Sequence, residues 1–256
     1  RHGDYQHLWT ADERGAGATS EEQSRDILVR YADGLAREGC TLTDDCVRTW
    51  FYVQDVDNNY AGLVRARREF FEECGLRRDT HYIASTGIEG RNGAVGSFVT
   101  MDAYAVRGLR EGQIQFLYAR DYLSPTADYG VTFERGTAVH YGDRKHIFIS
   151  GTASIDSKGE VVHVGDVRRQ TERMICNIEA LLAEGGATMN DVQMAIVYLR
   201  DMGDYEQVAQ LLAERLPELP YTITLAPVCR PTWLIEMECV DIRPFSDRKH
   251  KNTDDY

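Results

Sequence analysis

An imperfect internal repeat constrains this chain more than any other feature. Gln170–Asp201 (QTERMICNIEALLAEGGATMNDVQMAIVYLRD) realigns with Gln23–Asp55 (QSRDILVRYADGLAREGCTLTDDCVRTWFYVQD) when the first copy is allowed one extra residue. Gln23, Leu35, Gly39, Asp44, Tyr52 and Asp55 then stand opposite Gln170, Leu182, Gly186, Asp191, Tyr198 and Asp201. A later run recurs as well, Ser97–Asp102 (SFVTMD) against Trp233–Glu238 (WLIEME), with Thr100 in the place of Glu236. Such a repeat means one supersecondary plan used twice. The 256 residues therefore divide into two units of ordinary domain size, 1–110 and 111–256, the first N-terminally incomplete and with a degenerate site. The chain opens on Arg-His-Gly without Met and reads as part of a longer protein.

Each copy reads helix, strand, helix, strand, strand. Ser20 followed by Gln23 suits a capping box, and Ile27, Leu28, Tyr31 and Leu35 fall at helical spacing before Gly39 as a left-handed stop. In the second copy Asp166 caps a helix with Met174, Ile175, Ile178, Leu181 and Leu182 on its stripe, closed by Gly185-Gly186. β-rich runs follow at Val47–Val53 and Met194–Leu199, then a second helix in each copy. His146–Ile155 and Val161–Val164 around Asp156-Ser-Lys-Gly159 predict a hairpin, and Leu109–Val131 links the copies. The expected architecture is α+β: two tandem units, each a mixed β-sheet with two helices packed on one face.

A net charge of −12 argues against a nucleic-acid partner, which needs a basic surface. The basic runs Arg65–Arg68 and Arg248–Lys251 read as solvated surface. No run reaches the roughly 18 apolar residues of a membrane helix. Six cysteines without a CxxC pair fit a reducing, cytoplasmic setting, and scattered histidines give no metal-site spacing, so neither metal nor cofactor is expected.

Chemistry concentrates near the C-terminus. Alternation puts Leu234, Glu236, Glu238, Val240 and Ile242 on one face of the last strand. That face is either exposed or it buries a carboxylate, whose pKa would then rise into the range of a general acid. Ahead of it, Ala226–Pro231 (APVCRP) is a stiff loop carrying Cys229 and Arg230; Arg230 could grip a carboxylate or form an ordinary ion pair. Arg135 in Phe133–Thr137 (FERGT) is a second candidate anion anchor. Cys229 lacks a nearby His and Ser150 lacks an activating motif, so neither reads as a nucleophile. Tyr122, Tyr129 and Tyr221 could offer pocket hydroxyls or simply be core residues.

Several short motifs together resemble the YjgF/Rid family, whose members are also called endoribonuclease L-PSP: Ile149-Ser-Gly151, Gly165-Asp166, Asn177-Ile178, Asp191-Val192, Leu199-Arg-Asp201 and Glu236-x-Glu238. The resemblance is close over Tyr141–Ile242 and looser over Thr19–Val106. It implies a chorismate-mutase-like fold, a homotrimer with ligand clefts between neighbouring units, and hydrolysis of enamines or imines. Deaminating members carry an Arg early in the penultimate strand, where this chain has Tyr221 or Thr222. A second likeness, to chorismatases within the same superfamily, rests on Ser150–Ile155 (SGTASI), on Phe133, Arg135 and Thr137, on Ala84–Ile88 (ASTGI), and on Cys229-Arg230 ahead of Glu236. The linker lacks their Arg-containing Tyr-Gly-Pro segment. This likeness implies that Glu236 protonates an enol ether, that Arg135 and Arg230 bind carboxylate, and that Cys229, Ser150 and Gly151 line the pocket. The substrate is then a small carboxylated metabolite. A non-catalytic binding or assembly protein is the remaining alternative.

Overall fold

The structure, a computed structural model, describes residues 1–244; the run Arg248–Lys251 lies outside the described residues. The first copy forms β1 (Gln6–Arg14), α1 (Ser20–Arg37), β2 (Cys46–Val53), α2 (Val56–Glu73), β3 (Ala84–Glu89) and β4 (Val99–Arg107). Its four strands lie in the order β1-β4-β2-β3, antiparallel except for the parallel β2–β3 pair. The rest of the chain adds β5 (Ile114–Leu117), β6 (Gly136–His140), β7 (Arg144–Ala153), α3 (Val167–Glu184), β8 (Val192–Leu199), α4 (Tyr205–Arg215), β9 (Tyr221–Leu225) and β10 (Ile235–Pro244). These strands run β5-β6-β7-β10-β8-β9, with β8 and β9 parallel. Two helices pair in each copy and pack on its sheet, giving the α+β arrangement expected. Among the described residues no helix is long and apolar enough to cross a membrane.

The repeated glutamines show why the repeat persists. Gln23 donates to the carbonyls of Gly17 and Gly96 (3.1 and 2.7 Å) and accepts from the Phe98 amide (2.8 Å). Gln170 donates to His163 and Thr232 (3.2 and 3.0 Å) and accepts from Leu234 (2.9 Å). Both are buried, and both tie the start of a helix to the entry of the last strand of their copy, satisfying backbone groups that no ladder reaches.

The structure departs from the sequence reading in several places. The cap of α1 is Thr19, in a capping box with Glu22, and Ser20 is the first helical residue; Gln23 is taken by the strand tie instead. In the first copy β1 pairs with β4 as β7 pairs with β10 in the second. The hairpin after Ile155 shrinks to a single bridge, Ile155 to Val161, beside which the Ser154 hydroxyl donates to the Val162 carbonyl (2.9 Å) and the Val162 amide donates to the Ser154 carbonyl (3.1 Å). The linker supplies an edge strand, β5.

The two copies meet along the outer edge of β3. Ala84 bridges to Glu134 and Ile88 to Val228, with the Glu134 amide on the Ile83 carbonyl (3.0 Å) and the Glu89 amide on the Pro227 carbonyl (2.9 Å). An open strand edge is thereby covered. The same contacts bring the loops around residues 133–135 and 227–230 of the second copy over the first.

Candidate functional site

Behind those loops lies a narrow cavity between the copies. Arg135, Gly151, Cys229, Arg230 and Glu236 all line it. The first copy contributes Tyr60, Arg67, Ser85 and Gly87.

Glu236, on β10, is 3% exposed and Glu238 4%, so the face of the last strand is buried where it carries its two glutamates. Burial, then the neighbouring Glu238, push the Glu236 carboxyl up to about 8, against the weaker pull of Arg135 and Arg48. Its carboxyl rests on Gly151: a Cβ built there would lie 2.0 Å from Glu236 Oε1. Only glycine leaves room for the acid. Gly87 does the same opposite, where a Cβ would stand 2.8 Å from the Tyr60 ring.

Glu238 is held very differently. Arg48, on β2, donates to it through Nη2 (2.7 Å), Trp50 through Nε1 (2.9 Å), and the Thr86 hydroxyl makes a third bond. The Gly151 amide donates to Thr86 (2.9 Å). The buried Arg48–Glu238 pair thus spans the two copies and fixes the strand beside Glu236. Two carboxyl groups two residues apart are thus held differently, Glu238 in an ion pair with Arg48 and Glu236 in a setting that favours its proton.

Cys229 is half-buried with its thiol turned inward; burial, then Glu236, push it up to about 12, against a hydrogen bond with Tyr60. Such a thiol is a wall of the cavity rather than a nucleophile at neutral pH. Arg230 stacks over Trp233 at 5.2 Å. Arg135 is buried and donates to the Ser124 carbonyl (3.0 Å).

Ser150 does not line the cavity. Its hydroxyl donates to the Glu134 carbonyl (2.6 Å) and accepts from the Ser85 amide and Arg48, which makes it a cross-copy brace. Tyr221 also stays out of the cavity lining, on edge strand β9 against Ala195. The Tyr129 side chain lies outside the described part of the structure.

The sequence reading missed Arg67. In the run Arg65–Arg68, expected to be solvated, Arg65 and Arg68 are exposed but Arg67 is buried. It follows Leu63 by four residues and precedes Phe70 and Phe71 by three and four, so it sits on the apolar stripe of α2. Tyr60, two turns earlier, shares that face. Glu89 fixes the helix start, accepting from the Asp55 and Val56 amides (3.1 and 2.7 Å).

A family model described as endoribonuclease L-PSP matches residues 136–242. A RutC family protein of Pyrococcus abyssi is 39% identical over 97 residues, covering 37% of this chain and 76% of that protein. The 3-aminoacrylate deaminase RutC of Acinetobacter baylyi is 34% identical over 97 residues, with the same coverage of 37% and 76%. Among solved structures, a chorismatase superposes with a TM-score of 0.78 at 24% identity, covering 93% of this chain and 75% of that one, a likeness of fold. By sequence and architecture the chain belongs to the endoribonuclease L-PSP family of the YjgF/Rid superfamily.

Proposed function

We propose that this protein hydrolyses an enol ether, or a related acid-labile bond, of a small carboxylated metabolite, with Glu236 as general acid. One observation carries the reading: a carboxyl group that stays protonated to about pH 8 inside a cavity also lined by arginines. General acids work best when their pKa lies near the working pH. Glu236 gives its proton to the terminal carbon of the vinyl group, and the ether oxygen stabilises the cation at the adjacent carbon. Water adds there and loses a proton that restores Glu236. The resulting hemiketal breaks its carbon–oxygen bond to release an alcohol and a 2-oxo acid. Arg135 and Arg230 stand where they can orient a carboxylate. The chorismatase likeness over 93% of the chain supports this class of substrate.

The likeness to RutC supports a second reading, deamination of an enamine in the same cavity. Purified protein assayed with chorismate and with freshly generated 3-aminoacrylate or 2-iminoacids separates the two. Pyruvate release from chorismate is expected, abolished by Glu236→Gln, with kcat/KM falling as pH rises through about 8. Ammonia release without pyruvate release would refute the enol-ether reading.

A further inference from the structure

We infer that a second pocket, outside the cavity, binds a phosphate group between the first copy and the linker. Arg78, Thr80 and Tyr82 border it from the segment between α2 and β3, and Tyr118, Arg120 and Ser124 border it from the linker. Glu236 does not line this pocket, so the inference does not depend on the reaction assigned to that residue.

Two independent observations point to an anion here. The first is charge. The chain carries a net charge of −12, yet Arg78, Arg120 and Arg135 all border this one pocket. The carboxylates beside them are Asp128 and Glu134. Asp128 pairs with Arg78 at 2.7 Å, but the two side chains are 40% and 70% exposed, and so exposed a pair holds weakly. Glu134 accepts from the Tyr82 amide (2.8 Å), and burial pushes its carboxyl up. Arg120 lies over the Tyr118 ring at 4.9 Å, which holds the guanidinium by its face and keeps its N–H edge for an oxyanion. A positively charged hollow on an acidic protein concentrates anions.

The second observation is the Ser124 hydroxyl. Ser124 is 2% exposed and lines the pocket, and its Oγ has no hydrogen-bond partner. Leaving a buried hydroxyl unpaired is unfavourable, and an acceptor in the pocket would pair it. The Ser124 carbonyl accepts from Arg135 Nη2 (3.0 Å), which anchors the backbone that carries the hydroxyl. Guanidinium groups from two segments together with a hydroxyl offer more donors than a carboxylate has oxygens. A phosphate group, with three oxygens and up to two charges, matches them better. Tyr82 and Tyr118 border the same space, so phenyl phosphate is an apt probe beside inorganic phosphate.

Calorimetry on the full chain tests this, with inorganic phosphate and phenyl phosphate titrated against sodium chloride at equal ionic strength. The wild type is expected to show saturable phosphate binding that chloride does not reproduce. Arg120→Gln is expected to lose at least fivefold in affinity. Arg215→Gln removes one exposed charge at the end of α4, away from the pocket lining, and is expected to keep wild-type affinity. Ser124→Ala deletes the unpartnered hydroxyl; it is expected to melt no lower without ligand and to bind at least threefold more weakly. Glu236→Gln is expected to keep phosphate binding whatever happens to turnover, which separates this pocket from the catalytic reading. Tighter binding of phenyl phosphate than of inorganic phosphate would support a phosphorylated metabolite as the occupant, and equal affinity would support free phosphate. No saturable binding by the wild type, wild-type affinity in Arg120→Gln or Ser124→Ala, or an equal loss in Arg215→Gln or Glu236→Gln would overturn the inference. Should Arg120→Gln fail to fold, Arg78→Gln decides: phosphate binding weakened threefold or more supports the site, and unchanged binding overturns it.

Discussion

Replacing Glu236 by Gln should make the protein more stable, by an amount that grows with pH. An ordinary glutamate loses its proton near 4.5, whereas Glu236 in the folded chain keeps it to about 8. Between those values the folded state holds one proton more than the unfolded chain. Stability contributed by that proton is therefore full at acid pH and drains away as pH rises to about 8. Each pH unit crossed costs about 1.4 kcal/mol, so the wild type loses on the order of 5 kcal/mol from this one group across the window. Gln has no proton to lose and nearly the same shape. The two proteins should be close in stability at pH 4.5, with the variant ahead by several kcal/mol at pH 8. Asp241, which burial pushes up to about 6, titrates in the same range but in both proteins, and so drops out of the difference. Urea denaturation of both at half-unit steps from pH 4.5 to 8.5, read at constant m-value, measures the gap. Parallel stability curves would show that Glu236 ionises normally in the fold, and the general-acid assignment would go with it.

Two further outcomes follow from the same geometry. Gly151→Ala places a methyl where the Glu236 carboxyl rests; about 1–3 kcal/mol of stability should be lost to overpacking, and turnover should fall at least a hundredfold in steady-state assays, since the acid must swing away. Arg48→Met leaves Glu238 buried without its cation and should cost about 3–5 kcal/mol by urea denaturation, while Arg48→Met combined with Glu238→Leu recovers most of that loss; a double variant as unstable as the single one would argue against the pairing.

Much of this protein could be read from its residues, because helices and strands announce themselves locally. The apolar stripe of α3, the cap at Asp166 and the alternation of the last strand follow from periods of 3.6 and 2 that need no tertiary knowledge. The repeat carried more, since one glutamine in each copy ties the same two segments together. Sequence also brought forward Glu236, Arg135, Arg230, Cys229 and Gly151, all of which the fold gathers into one cavity. Periodicity could not say whether the glutamate face of β10 was wet or dry, because that depends on what covers it. The cover comes from the other copy, through contacts such as Arg48 to Glu238, 190 positions apart in the chain. Ser150 looked like a pocket residue and proved to be a brace, as its partners Ser85 and Arg48 also belong to the other copy. Arg67 lay hidden in a basic run, although its spacing from Leu63, Phe70 and Phe71 placed it on the buried stripe of its helix. Local order is thus written in short-range side-chain patterns, whereas the electrostatics of a site depend on long-range neighbours, and only the folded chain decides which charges are paired, which are sheltered, and which are left facing the cavity.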